Sequence, residues 1–460
     1  MTSSQQAFEQ SPSPAEVWCG LLRPDVELSP AFLAALNARM REARLIFGDR
    51  IHCPFLRPFF LTSQDEERVR SVAETIAGIG ERVVKQALAD PGLLAQVGLT
   101  PDEERLVRIN PRYSTSSTAS RLDAFLLPDS LQFAEYNAES PAGLSYAERL
   151  ADIFTELPVM QRFAESFHVR KFELIKPMLE AQLATYREWG GTASPPTIAI
   201  VDWRGVPTWS EFEILQAAFE REGVPTIVCD PRDLQFDGRS LTAQGKRVDL
   251  LYRRVLINDI VARPEDCDAL VKAYQAGAVC VSNALTCKIA HKKAFFAVLT
   301  DERNAPLFSD AEKKIIPRHI PWTRLLADSK TSIDGATISL LEFVRRNRDS
   351  FVLKPNDEYG GTGVTLGWEN DERSWDAALE KALGDGFGKW VVQKRIAVRR
   401  EVFPMQTDSG VEMRDMLVDL APYIFRGKMT GFLTRLSATG LANVTSGGGQ
   451  VPAFSIEPLQ

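Results

Sequence analysis

The chain has 460 residues, 44% of them hydrophobic and 25% charged, with a formal net charge of −7. That composition supports a large core in two or three domains, and its acidic balance argues against a broad basic face for nucleic acid. No apolar run reaches membrane-spanning length, the six cysteines form no CxxC pair and read as reduced thiols, and four histidines leave a multi-histidine zinc site improbable. The opening MTSSQQAFEQSPSPAEVW is polar and lacks the basic-then-apolar plan of a secretory signal, so residues 1–27 are expected as a loose tail of a cytoplasmic protein. From about residue 28 to 100 the pattern is helical. AFLAALNARMREARLIF and EERVRSVAETIAGIGERVVKQALA both carry apolar residues at helical spacing.

SRLDAFLLPDSLQFAEYNAES follows and reads as two strands around Pro128-Asp129-Ser130. Successive strand side chains point to opposite faces, so Arg121 shares a face with Asp123, and Glu135 with Asn137. A three-residue turn pairing Leu127 with Leu131 sets Asp123 opposite Glu135 and Arg121 opposite Asn137. Carboxylates facing each other across a ladder repel unless a cation lies between them. Asp, Glu and Asn oxygens are ligands Mg²⁺ prefers, and a neighbouring Arg can steady charge on a transferring phosphoryl group. The same residues also fit an edge hairpin with a solvated polar face and one ion pair.

SYAERLADIFTELPVMQRFAESF and FELIKPMLEAQLATYREWG read as helices that stop at Gly190-Gly191. Beyond Ser194-Pro195-Pro196, TIAIVDW, SEFEILQAAFEREG and PTIVCDPRDL read as strand, helix and strand, with VDLLYRRVL as a third strand of a parallel sheet. Asp202 and Trp203 fall at a strand's carboxyl end, where open α/β sheets bind ligands and where an Asp also caps the next helix. Arg253 and Arg254 alternate across their strand, so at least one needs an anion, solvent or an acidic neighbour.

The last third has different chemistry. In SFVLKPNDEYGGTGVTLGW, Lys354 ends a strand, and Gly360, Gly361 and Gly363 leave a backbone that can approach a ligand closely. Successive amides in such a turn make an anion site, although a flexible hairpin tip has the same composition. It is not a Walker A loop, since no Gly-Lys-Ser/Thr follows. GKWVVQKRI ends in Gln393 and Lys394 and reads either as an adenine-edge strand or as plain core. MLVDLAPYIFRGKMTGFLTRLS reads as a hairpin turning at Arg426-Gly427-Lys428, and NVTSGGGQVPAF adds a triple glycine, either a second anion nest or a mobile loop.

Together these pieces resemble the circularly permuted ATP-grasp ligases of the type 2, glutathionylspermidine synthetase-like branch, from about residue 100 to the end. The resemblance is carried by R-x-D at 121–123, E-Y-N-A-E at 135–139, D-L-L-Y-R-R at 249–254 and L-K-P at 353–355 with its glycine-rich loop. V-V-Q at 391–393, D-L-A-P-Y at 419–423, G-F-L-T-R-L-S at 431–437 and N-V-T-S-G-G-G at 443–449 add to it. It implies an α/β, α+β ATP-grasp fold in permuted order, since the hairpin precedes the lid. The implied parts are a helical segment with the metal hairpin (28–193), a βαβ pre-ATP-grasp domain (194–290), and the lid with the remaining core (291–460). ATP and Mg²⁺ are the implied cofactors. Small-molecule carboxylate and amine substrates are the implied partners, joined through an acyl phosphate with release of ADP and phosphate, with neither nucleic acid nor membrane involved.

Residue by residue, the resemblance makes Arg121 catalytic and Asp123, Glu135 and Asn137 ligands of Mg²⁺. It puts Lys354 on the ATP phosphates under a lid of Gly360, Gly361 and Gly363. The family's earlier ATP-binding lysine is best matched by Lys293, with Lys288 and Lys292 nearby. Gln393 and Lys394 are the implied ATP contacts at the adenine strand; they stand where many ATP-grasp chains have Gln-Glu, a difference that bears on the ribose or adenine contact and leaves backbone contacts in place. Arg435 binds the carboxylate or phosphate, or forms a structural ion pair. No Cys-His amidase module precedes this region, so hydrolase activity is not implied. A non-catalytic Mg-ATP-binding partner protein and a phosphotransferase are the alternatives on the same scaffold.

Overall fold

The computed structural model describes residues 12–48, 50–439 and 448–459, and every count below refers to these. Residues 12–27 are not a loose tail. Ser13 and Glu16 form a reciprocal capping box around helix Pro14–Leu21, with proline at the first helical position. Trp18 on this helix is fully buried; its Nε1 donates to the Leu56 carbonyl at 2.9 Å and its ring meets Phe163 edge-on. One large aromatic docks the segment, which is why a polar average hid it.

Helix Ser63–Ala89 is the backbone of the N-terminal half. Thr62 caps it, and Val69, Ala73, Ile76 and Val83 recur at helical spacing on its buried face. A Cβ at Gly80 would stand 3.1 Å from the Tyr136 ring, so the missing side chain lets the hairpin settle against this helix.

That hairpin, strands Ala119–Leu126 and Leu131–Asn137, belongs to a six-stranded sheet. The sheet's other strands are Arg399–Thr407, Gly410–Phe425, Lys428–Ser437 and Gly449–Val451, so it joins residues 119–137 to residues 399–451. Leu126, not Leu127, faces Leu131, which makes the turn one residue longer than the sequence suggests. A bulge between Asp123 and Ala124 then moves the register back, and Asp123 faces Glu135 while Arg121 faces Asn137. Without the bulge a one-residue slip would turn one strand's polar set to the wrong face.

Strands Ile198–Val201, Thr226–Cys229, Leu250–Arg253 and Cys280–Ser282 pair in parallel as a four-stranded sheet with Ile198–Val201 inside it. A second four-stranded sheet is antiparallel and orders Thr323–Leu325, Trp390–Lys394, Phe351–Pro355 and Thr365–Leu366. Strand Phe59–Thr62, inside a stretch that the sequence suggests is helical, and strand Phe167–Lys171, at the gap between two such segments, flank Ala453–Pro458. All six cysteines are free, and no helix among the described residues is long and apolar enough to cross a membrane.

Candidate active site

The antiparallel sheet faces the hairpin across a cleft of about 940 Å³, its open mouth included. Asp123, Glu135, Lys293, Lys354, Gly360, Gly361, Gln393, Lys394 and Arg435 all line it. Arg121, Asn137 and Gly363 do not. Arg121 stands behind Asp123, donating from Nε to Oδ1 at 3.0 Å and from Nη1 to the Ala142 carbonyl at 2.8 Å. Asn137 donates from Nδ2 to Glu135 Oε1 at 3.3 Å. Gly363 has φ +73°, and a Cβ there would stand 2.7 Å from Pro355 Cγ, so glycine lets the loop fold back onto its own first strand.

The acidic wall is a chain of shared charges. Arg435 donates from Nη2 to Asp123 at 2.5 Å and from Nε to Asp419 at 2.6 Å. Asp419 also accepts from the Ala124 amide at 3.1 Å, which ties the strand Gly410–Phe425 to the bulge of the hairpin. Burial alone would push the Asp123 carboxyl up, but Arg121 and Arg435 hold it well below the usual carboxylate range. Asp419 moves the other way: burial and the charge on Asp123 outweigh its share of Arg435. Asp419 lies in the D-L-A-P-Y segment, where local pattern assigns it no role. Its signal was a single acid inside the apolar run MLVDLAPYIF.

Opposite this wall, Lys354 Nζ donates to Gln393 Oε1 at 2.6 Å and to the Ala134 carbonyl at 3.2 Å. Burial pulls its ammonium down to about 8, with Glu135 opposing. Lys293 Nζ lies 3.5 Å from Glu135 Oε2 and donates to the Glu358 carbonyl. Lys288 and Lys292 are buried away from the cleft in ion pairs with Glu139, Glu103 and Asp357. Of the three lysines, only Lys293 reaches it. Trp368 and Arg395 also line the cleft, with the guanidinium 4.2 Å from the ring centroid.

The other described candidates do not line this cleft. Arg253 pairs with Glu139 at 2.9 Å, both fully buried, and Arg254 donates to the Pro141 carbonyl and to Tyr252. Asp202 accepts from the Trp203 amide rather than capping the next helix, and burial lifts its carboxyl to about 6. Asn443 and Gly447 of the second glycine motif lie outside the described residues; Gly449 pairs with Leu436 at the sheet edge.

Among the described residues no three His, Cys, Asp or Glu side chains are arranged to hold an ion alone. Mg²⁺ does not require that, because one or two carboxylates suffice when phosphates and waters complete the shell. Asp123 and Glu135 face each other across the ladder, two hard-oxygen donors that fit an ion arriving with a nucleotide, while Asn137 turns its amide nitrogen to Glu135 from outside the cleft lining.

Two sheets that oppose lysines and carboxylates across a cleft, one of them ending in a glycine-rich hairpin, define an ATP-grasp architecture within the mixed α/β class. The model of the circularly permuted ATP-grasp type 2 family matches residues 128–444, more than half of the chain, and the chain belongs to that family. The match starts in the hairpin turn, so it includes Glu135 and Asn137, while Arg121 and Asp123 precede it. A putative glutamate–cysteine ligase of Frankia alni is 25% identical over 333 residues, covering 68% of this chain and 35% of that protein. A similarly named protein of Frankia casuarinae is 23% identical over 334 residues, with the same coverage. The chain thus spans about a third of the length of these relatives. A glutathione synthetase-like effector from Globodera pallida, solved in apo form, superimposes with a TM-score of 0.60 at 12% identity, over 94% of this chain and 99% of that one. That likeness is one of fold.

Proposed function

We propose that the chain is an ATP-dependent carboxylate–amine ligase working through an acyl phosphate, with an amino acid or small peptide as its acid. The observation that carries this reading is the convergence of Lys293, Lys354, Asp123, Glu135 and Arg435 on one cleft. The relatives named glutamate–cysteine ligases support the choice of an amino acid. In this reading Lys293 and Lys354 bind phosphate oxygens of ATP, and the Gly360–Gly361 segment covers them. Asp123 and Glu135, with Asn137 next to Glu135, would hold Mg²⁺, which when bound would neutralise charge on the phosphates.

Arg435 steadies the transferring phosphoryl group, and Arg121 fixes the Asp123 carboxylate from behind. A carboxylate oxygen of the acid attacks the γ-phosphorus and the bond to ADP breaks. The amine then attacks the acyl carbon, and phosphate leaves with the oxygen that came from the acid. Positioning and charge stabilisation supply the rate, and a closed loop keeps water off the acyl phosphate. Five buried free thiols suit a reducing, cytoplasmic setting. Product analysis with amino acids as acids and amines tests the reading. ADP and phosphate that appear only with both substrates support it. AMP and pyrophosphate, or Mg-ATP binding without turnover, overturn it.

A further inference from the structure

Lys293 and Lys354 are like charges held in one cleft. Glu135, 3.5 Å from the Lys293 ammonium, offsets part of their repulsion. The segments that carry them meet through the residues just after Lys354. Asp357 accepts from Lys288 Nζ at 2.7 Å with Oδ1 and from Lys292 Nζ at 2.6 Å with Oδ2. Its carbonyl accepts from Asn258 at 3.1 Å. Asn356 completes the joint: its carbonyl accepts from the Lys293 amide at 3.0 Å and its Oδ1 from the Ala294 amide at 2.8 Å. Both lysines are anchored on their far sides, Lys288 by Glu139 at 3.2 Å and Lys292 by Glu103 at 2.9 Å.

We infer that Asp357 is a positioning residue which, by gripping Lys288 and Lys292 together, sets the separation of Lys293 and Lys354 for a nucleotide's phosphates. The assignment rests on the nucleotide reading of the cleft. Asp357 lies three positions after Lys354, and Lys292 directly precedes Lys293, so little slack separates the clasp from either ammonium. Two ionic contacts fix orientation as well as distance, which one contact does not. The clasp ends where the loop opens: Tyr359 is 66% exposed, and nothing lies within 4 Å of a Cβ placed on Gly360. Asp357→Asn leaves an uncompensated lysine charge behind the two cleft lysines and lets them spread.

The test is a double-mutant cycle on Mg-ATP affinity, measured by titration well below each protein's unfolding midpoint. Asp357→Asn is expected to bind Mg-ATP about tenfold more weakly than wild type, or worse. In a Lys354→Met background the same change is expected to cost about twofold or less, because the residue it positions is gone. A purely structural role would lower the midpoint and leave this coupling absent. Full-length Asp357→Asn that binds within twofold of wild type, or losses that simply multiply in the double variant, overturns the assignment. If Asp357→Asn fails to fold, Lys292→Met carries the same cycle, with a fall of about threefold or more expected. Wild-type protein that does not bind Mg-ATP overturns the nucleotide reading, and the clasp with it.

Discussion

Lys354→Met separates what the lysine does for the ligand from what it does to the fold. The ammonium is pulled from its ordinary 10.5 to about 8, chiefly by burial. Between those values the unfolded chain binds a proton that the folded protein does not, so this residue makes stability rise with pH from about 8 to 10.5. Below pH 8 both states carry the proton and the penalty is fully present. At about 1.36 kcal/mol per pKa unit the whole effect is about 3 kcal/mol, and partial solvent contact reduces it to about 1–3 kcal/mol.

The variant lacks this step. Urea unfolding of both proteins at pH 7 and pH 10 should show wild type gaining most of that amount over the variant as pH rises. The lost bonds to Gln393 and Ala134 shift the variant equally at both pH values and drop out of the comparison. At pH 7 the variant's Mg-ATP affinity should fall about tenfold to a hundredfold, since a hydrogen bond to a charged group is worth roughly 1.5–3 kcal/mol. A stability difference that stays constant with pH refutes the burial argument, and unchanged affinity removes Lys354 from the site.

Glu135→Gln should abolish ligase turnover with its unfolding free energy within about 1 kcal/mol of wild type, because the group is only half-buried. Asp123→Asn should also abolish turnover but cost about 3–5 kcal/mol in urea unfolding, as it strips Arg121 and Arg435 of a buried partner. Equal stability of the two variants would contradict the assigned charge network. Trp18→Ala should cost about 3–5 kcal/mol by the same assay; a silent substitution would mean that the N-terminal helix is not docked.

The candidate site was legible where local periodicity sufficed. Alternation along SRLDAFL and LQFAEYN puts the polar residues on shared faces, and the parallel sheet follows from β-branched runs separated by one amphipathic helix. The hairpin's register is instructive. A turn one residue too short was compensated by a bulge whose second anchor, Asp419, lies almost 300 positions downstream. No local pattern contains that information.

Partner choice was equally invisible for Phe59–Thr62 and Phe167–Lys171, whose common partner is the last strand of the chain. Helix Pro14–Leu21 was missed because a single tryptophan docks it. Arg121 was placed on the correct face, yet sequence could not say that Asp123 stands between it and the cleft. The choice among Lys288, Lys292 and Lys293 turned on the buried acids, and these come from three distant segments.

The acyl phosphate is the central claim, and oxygen transfer tests it most directly. Turnover with an amino acid labelled with ¹⁸O in its carboxylate, together with ATP, Mg²⁺ and an amine, should deliver one labelled oxygen to each inorganic phosphate released, with ADP as the nucleotide product. Label found in AMP, or phosphate released without label while the amide forms, would contradict the account.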